Sequence, residues 1–288
     1  MSNALSHALQ KAQTLPARLA GAAGPAPARF QIVLLAVGIC VLAVWIIRRL
    51  THRSKLSLRH APGQPNDITP FHILILIAVW AGSLAAFHHV LKALSVAQAG
   101  GTMLLTTVVQ HAVLLAGSLA IAAMTFRAGL LRGLGFSLRH WPWDAARGVA
   151  GYLTAVPLAT GLLWLTRYVL PEKPHELLDM IKASPPLRQA VAIFAGVVLA
   201  PIAEEVFFRG LLQSMVRKYT QSAWAGILAA SLLFALAHYS NPQTIPALFA
   251  LGVVLGYNYA RCGRLLAPIL THAIFNAVSI IAFMSTGK

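Results

Sequence analysis

Long apolar runs separated by short polar segments make up most of this chain. A helix needs about 20 apolar residues to cross a bilayer. By run length the sequence predicts eight membrane segments: Phe30–Ile47, Phe71–Leu94, Thr102–Phe126, Gly148–Leu170, Ala190–Val216, Ala223–His238, Ile245–Tyr259 and Leu265–Phe283. The seventh is short for a full span. Between the third and fourth, 127–147 carries Arg132, Arg139, Trp141 and Trp143, a composition suited to a segment lying at the membrane interface. The stretch 171–189 is polar and marked by Pro171, Pro174, Pro185 and Pro186, and reads as a loop. Gly, Ala and Ser are frequent in the spans, which allows close helix packing. The expected fold is all-α, a polytopic transmembrane bundle of about eight helices. Its expected organisation is a tail over 1–29, N-terminal membrane helices with the interfacial segment over 30–147, and a membrane core over 148–288.

Composition narrows the class. The chain is 58% apolar and 10% charged, too greasy for an ordinary soluble domain. Its net charge of +16 comes from 23 Lys and Arg against seven Asp and Glu. Such a balance can signal nucleic acid. Here the basic residues sit mostly in short segments between apolar runs, as in membrane proteins with cationic cytoplasmic loops, so no nucleic-acid partner is expected. With eight spans, the segments 48–70, 127–147, 209–222 and 260–264 hold 14 Lys and Arg, and the other side with both termini holds seven. That bias predicts a cytoplasmic location for the first set and outside termini. The first 29 residues lack acids, carry Lys11, Arg18 and Arg29, and show no apolar signal-peptide core near the start. They read as a surface helix or tail. Cys40 and Cys262 have no metal-type spacing and carry no disulfide framework. The expected setting is a multi-pass protein of a bacterial plasma membrane.

Ionisable groups inside membrane spans are costly and usually functional. The fifth span carries Glu204, Glu205 and Arg209, the sixth ends in Phe234-Ala-Leu-Ala-His238, and the eighth carries His272-Ala-Ile-Phe-Asn276. Glu205 and Arg209 are four residues apart, share one helix face and can form an ion pair. Glu204 is rotated by about 100° from Glu205, so it points elsewhere. A carboxylate in apolar surroundings can serve as a general base near neutral pH. His272 and Asn276 also share a face, and both can donate hydrogen bonds to an oxyanion. If the fifth and sixth helices form a hairpin turning near Tyr219–Ser222, Glu204 and His238 both lie roughly 23 Å from the turn and can face each other. Pro201, just before Glu204, is expected to kink the fifth helix and free a carbonyl.

These three motifs, E-E-x-x-x-R (Glu204, Glu205, Arg209), F-x-x-x-H (Phe234, His238) and H-x-x-x-N (His272, Asn276), occur in order on separate apolar spans. The set resembles the CAAX protease and bacteriocin-processing family, also called Abi proteins, which includes the type II CAAX prenyl endopeptidases. The resemblance covers roughly 190–283. It implies an intramembrane endopeptidase in which Glu204 and His238 activate a water for attack on a peptide carbonyl. It further implies that His272 and Asn276 hold the oxyanion while Glu205 and Arg209 support the site. The implied partners are the bilayer and a protein or peptide substrate at the membrane.

Metal dependence has two readings. A zinc ion held by Glu204, His238 and His272 is compatible with the residue types, and so is water activation by Glu and His with no metal. H-E-x-x-H is absent, and the near miss His175-Glu-Leu-Leu-Asp179 falls in the proline-marked segment. Gly-x-Ser-Gly does not occur, and Asp67, Asp144 and Asp179 are all assigned to loops, which argues against a two-Asp intramembrane site. His72, His88, His89 and His111 have no partner motif and read as interfacial or packing residues. A rival from another class is a non-catalytic membrane protein on the same bundle, such as an immunity factor, scaffold or transporter subunit. Intact Glu204, His238, His272 and Asn276 favour the enzyme.

Overall fold

The computed structural model describes residues 25–51, 58, 63–93, 100–170 and 176–285. The tail reading for the first residues lies outside them up to position 24, as do Pro171, Pro174 and His175. The described helices are α1 (Pro25–Thr51), α2 (Pro70–Ala93), α3 (Gly100–Thr125), the single turn α4 (Leu130–Gly133), α5 (Trp141–Val169) and α6 (Glu176–Ala183). They continue with α7 (Pro186–Thr220), α8 (Ala223–Leu236), α9 (Ile245–Cys262) and α10 (Leu266–Ser285). Seven of these are long and apolar enough to cross a membrane, and α8 is a shorter apolar helix. The protein is therefore a polytopic helical bundle, in line with the pattern of apolar runs.

Polarity is distributed inversely to that of a soluble protein. Phe30, Ile32, Phe71, Leu74, Val169 and many other large apolar side chains face outward, while Glu205, Arg209, Gln213, Thr271 and His272 are buried. Lipid replaces water as the outer solvent, so apolar exposure carries no penalty and polar groups turn inward to find partners.

Four details differ from the sequence-based expectation. The short member of the set is α8, with 14 residues, or about 21 Å of helix against a hydrocarbon core of about 30 Å. The seventh segment is instead extended by a 3₁₀ turn and runs from Pro242 to Cys262. α5 begins at Trp141, ahead of the expected start at Gly148, so Trp141 and Trp143 belong to its first turn, where the missing N–H of Pro142 is not needed. The polar stretch after Leu170 contains α6, whose Ile181 packs on Leu104 and Ala192. Asp144 and Asp179 consequently lie on helices. Asp144 is fully buried because Arg264, in the turn between α9 and α10, donates Nε to its Oδ2 at 2.8 Å. That carboxylate in turn holds the Arg264 guanidinium above its ordinary range.

The core of the bundle is α7 with α8, α9 and α10, backed by α3 and α5. α7 and α8 form the hairpin that the motif spacing requires. The left-handed Gln221 (φ 53°) turns the chain, and the Ser222 hydroxyl caps α8 by accepting from the Ala225 amide at 3.2 Å. α8 and α9 meet at glycines. A Cβ built on Gly252 would lie 2.9 Å from the Ser231 Cβ, and one on Gly256 would lie 2.8 Å from the Gln213 side-chain oxygen. Small residues let the backbones approach closely. The approach brings the carbonyls of Gly252 and Gly256 within reach of Arg209 (Nη2, 3.3 Å) and Gln213 (Nε2, 2.9 Å) on α7. A Gly252→Val protein should lose about 1–3 kcal/mol through overpacking. Thermal unfolding in detergent should show a lowered midpoint, and an unchanged midpoint would contradict this helix contact.

Candidate functional site: a buried glutamate, histidine and arginine cluster

α7 is not a uniform α-helix. It widens into π-helical geometry over Ala195–Leu199, returns to α over Ala200–Glu205, and widens again over Val206–Gln213. The two glutamates thus sit between two π stretches, a geometry found frequently at functional sites. Pro201 accounts for part of the first. The Ala200 N–H donates to the Ala195 carbonyl, five residues back. In the same register the next donor would serve the Gly196 carbonyl, but proline has no N–H. Asn276 on α10 supplies the missing bond, donating Nδ2 to the Gly196 oxygen at 2.8 Å. The carbonyl that the proline frees is therefore taken up by a motif side chain, and one N–H of the Asn276 amide is left over.

Glu205 and Arg209 form the expected ion pair, fully buried, with Nη1 donating to Oε1 at 2.9 Å. The same carboxylate oxygen accepts from His272 Nδ1 at 2.9 Å. A carboxylate bonded to Arg209 only accepts, so the His272 proton sits on Nδ1 and Nε2 is directed elsewhere. Phe234 explains the aromatic position of the second motif. Its ring is fully buried, with the Arg209 guanidinium 4.7 Å above its centroid and the His272 ring edge-on at 5.5 Å. Phe208 and the His238 ring close the same cage at 5.4 and 5.2 Å. One aromatic ring thus packs against a cation and two imidazoles that belong to three different motifs.

Glu204 does point away from Glu205, as the helical geometry requires, but toward a residue that the motifs do not contain. Its Oε1 lies 3.2 Å from Nε2 of His111 on α3. The reading of His111 as a packing or interfacial histidine is corrected by this contact. α3 packs against α7 at the glutamates, and the burial that hides Glu204 also draws in its partner. The available sequence signal was a polar stripe on an apolar helix, with Thr107, His111 and Ser118 at spacings of four and seven. The other carboxylate oxygen, Oε2, lies 3.9 Å from His272 Nε2 and has no hydrogen-bond partner. A polar separation of that size between buried groups is suited to a bridging water.

His238 lies in the turn just beyond α8, and α8 ends about 21 Å from the hairpin turn, close to the level of Glu204. Its Nδ1–H donates to the Phe234 carbonyl at 2.9 Å, which leaves Nε2 as an acceptor. It stands within electrostatic range of Glu204, as His111 and His272 do. Among the described residues, no group of three or more His, Cys, Asp or Glu is arranged as a metal-ligand set. Two of the imidazoles considered for zinc, His238 and His272, direct Nδ1 to the Phe234 carbonyl and to Glu205, which leaves Nε2 of each as the free ring nitrogen.

The fold and this cluster define a class: a multi-pass membrane protein whose bundle core holds two carboxylates, an arginine and three histidines. Residues 186–278, from the start of α7 into α10, match the type II CAAX prenyl endopeptidase Rce1-like family. An "Uncharacterized 24.3 kDa protein" of Escherichia coli is 41% identical over 78 residues, which cover 26% of this chain and 36% of that protein. The "Putative membrane peptidase YdiL" of Bacillus subtilis (strain 168) is 27% identical over 110 residues, 38% of this chain and 42% of the relative. The matches thus span roughly two fifths or less of these relatives' own length. No solved structure matches the chain significantly. His111 lies outside the family match.

Removing Arg209 would leave Glu205 buried without its cation, at a cost of about 3–5 kcal/mol. Arg209→Ala should therefore lower the yield of folded protein in membranes, measured by size-exclusion chromatography after detergent extraction. A Glu205→Gln/Arg209→Met double variant, which buries no charge at either position, should recover part of it.

Proposed function

We propose that this protein is an intramembrane endopeptidase that hydrolyses a peptide bond of a membrane-associated substrate with a water activated by Glu204 and His238. The observation that carries the reading is the unpartnered Glu204 Oε2, buried and turned toward His272 Nε2 across 3.9 Å. A water there can donate one hydrogen to the carboxylate, and His238 Nε2, with its own proton on Nδ1, is an acceptor able to orient the other. Glu204 removes a proton as the water oxygen attacks the carbonyl carbon, and returns that proton to the amine nitrogen as the C–N bond breaks. His272, fixed through Nδ1–H on Glu205, directs Nε2 to the same space. Once protonated, its Nε2–H can donate to the oxyanion, and the second N–H of Asn276 adds a further donor. No step passes through a metal.

Several features support this reading. The three motifs stand on separate helices yet share one aromatic cage around Phe234. The matched family and the relative from Bacillus subtilis are both described by peptidase names. An apolar groove between α7 and α10, lined by Val197, Ala277 and Ile280, opens beside the Gly196–Asn276 bond. It offers an apolar approach along which a membrane-embedded substrate segment can reach the cluster.

The test compares peptide termini across the proteome of cells that carry the wild-type protein, Glu204→Ala, His238→Ala or no protein. Termini present with the wild type should vanish in both variants, which should still insert and fold. Loss of general-base assistance is worth about 10²–10⁴-fold in rate. Full cleavage by Glu204→Ala would sink the mechanism. No protein-dependent termini at all would favour a non-catalytic role for the bundle.

A further inference from the structure

His111 makes two hydrogen-bonding contacts, and together they fix where its protons are. Its Nδ1 lies 2.8 Å from the carbonyl oxygen of Thr107, one turn earlier on α3. A carbonyl only accepts, so Nδ1 carries a hydrogen. Nε2 lies 3.2 Å from Glu204 Oε1. If His111 were neutral and Glu204 ionised, two lone pairs would face each other at that distance. The contact is attractive only when the pair holds a further proton. With that proton on Nε2, the pair is an imidazolium–carboxylate ion pair of zero net charge, which a poorly solvated site favours over a lone carboxylate.

The charged and titratable groups around Glu204 are Glu205 and Arg209 on its own helix, His111 on α3, His272 on α10 and His238 beyond α8. Arg209 is already paired to Glu205, which also accepts from His272. His111 is the group in hydrogen-bond contact with Glu204. It also differs from the motif residues in what it leaves free. By engaging Oε1, it leaves Oε2 as the one oxygen of that carboxylate able to take a water.

We infer that His111 is the positioning residue and counter-charge of Glu204, clamping one carboxylate oxygen so that the other is held toward His272 and His238. The inference rests on the proposed role of Glu204. It makes the site one carboxylate–cation pair larger than the matched motifs: Arg209 balances Glu205, and His111 balances Glu204. It also brings α3, outside the matched segment, into the reacting centre.

The experiment uses the full chain in detergent or reconstituted bilayers, with a peptide spanning a cleavage site found by the terminus comparison. His111→Phe keeps the ring shape and removes the donor. It should lower kcat by at least about 100-fold, the lower bound of acid–base assistance, with KM changed by less than about threefold. His111→Gln places an N–H near the position of Nε2, whereas the shorter His111→Asn does not reach Glu204. The Gln variant should recover activity to within about tenfold of wild type by keeping that donor, and the Asn variant should not. Infrared spectroscopy without substrate adds an independent readout. His111→Phe should show a protonated-carboxyl band that wild type lacks and that Glu204→Gln added to it removes. Full kcat in His111→Phe alongside an inactive Glu204→Ala would overturn the role of His111 while leaving the proposed activity intact. Full activity in Glu204→Ala would instead overturn the activity, with the infrared band still reporting the pairing. Should His111→Phe not fold, equal activity of the Gln and Asn variants would overturn the inference.

Discussion

An arginine with no exposure at the centre of an apolar bundle must have its charge answered from within the protein. Arg209 has three answers: the Glu205 carboxylate at 2.9 Å, the Gly252 carbonyl at 3.3 Å and the face of the Phe234 ring at 4.7 Å. Each comes from a different helix, namely α7, α9 and α8. Meeting that one charge therefore fixes the mutual placement of three helices. Glu205 extends the set by accepting from His272, which adds α10. Pairing of buried charge is the constraint through which the rest of the core is arranged. The small residues of α9 are what make the geometry reachable. Without the close approach at Gly252 and Gly256, the carbonyls that Arg209 and Gln213 need would be out of range.

The same constraint separates the two adjacent glutamates. On a helix, consecutive side chains diverge, so one dipeptide can serve two neighbourhoods. Glu205 faces the tightly packed side of α7 and is fully buried. Glu204 faces the α3 side, retains slight exposure and keeps one oxygen free. The π stretches on either side of the pair alter the pitch of α7 at this level, and Pro201 leaves a carbonyl that Asn276 satisfies. Backbone irregularity is tolerated here because its unmatched groups find side-chain partners inside the protein.

Much of this was legible in the chain before any coordinates. Apolar run length is a direct consequence of bilayer thickness, so the approximate number and place of the membrane helices follow from it. The Glu205–Arg209 pair follows from helical period, and the facing levels of Glu204 and His238 follow from equal distances to one turn. Local misjudgements arose where packing overrides composition. Trp141 and Trp143 fall outside the expected apolar span, yet they open the long helix α5. Asp144 looks like a loop residue, yet Arg264 from a distant turn draws it fully out of solvent. The shortest of the apolar segments is α8 rather than the seventh.

The partner of Glu204 could not be read in this way. His111 has no motif, lies 93 positions from Glu204 in the chain, and occupies a helix whose sequence is otherwise that of an ordinary span. Spacing rules act within one helix or across one turn, because there the covalent chain sets the distance. Which face of α3 meets which face of α7 is set by the packing of the whole bundle, and only there do Glu204 and His111 become neighbours. Run length and helical period thus specified the elements and the residues that bear charge, while the fold determined which charges answer one another.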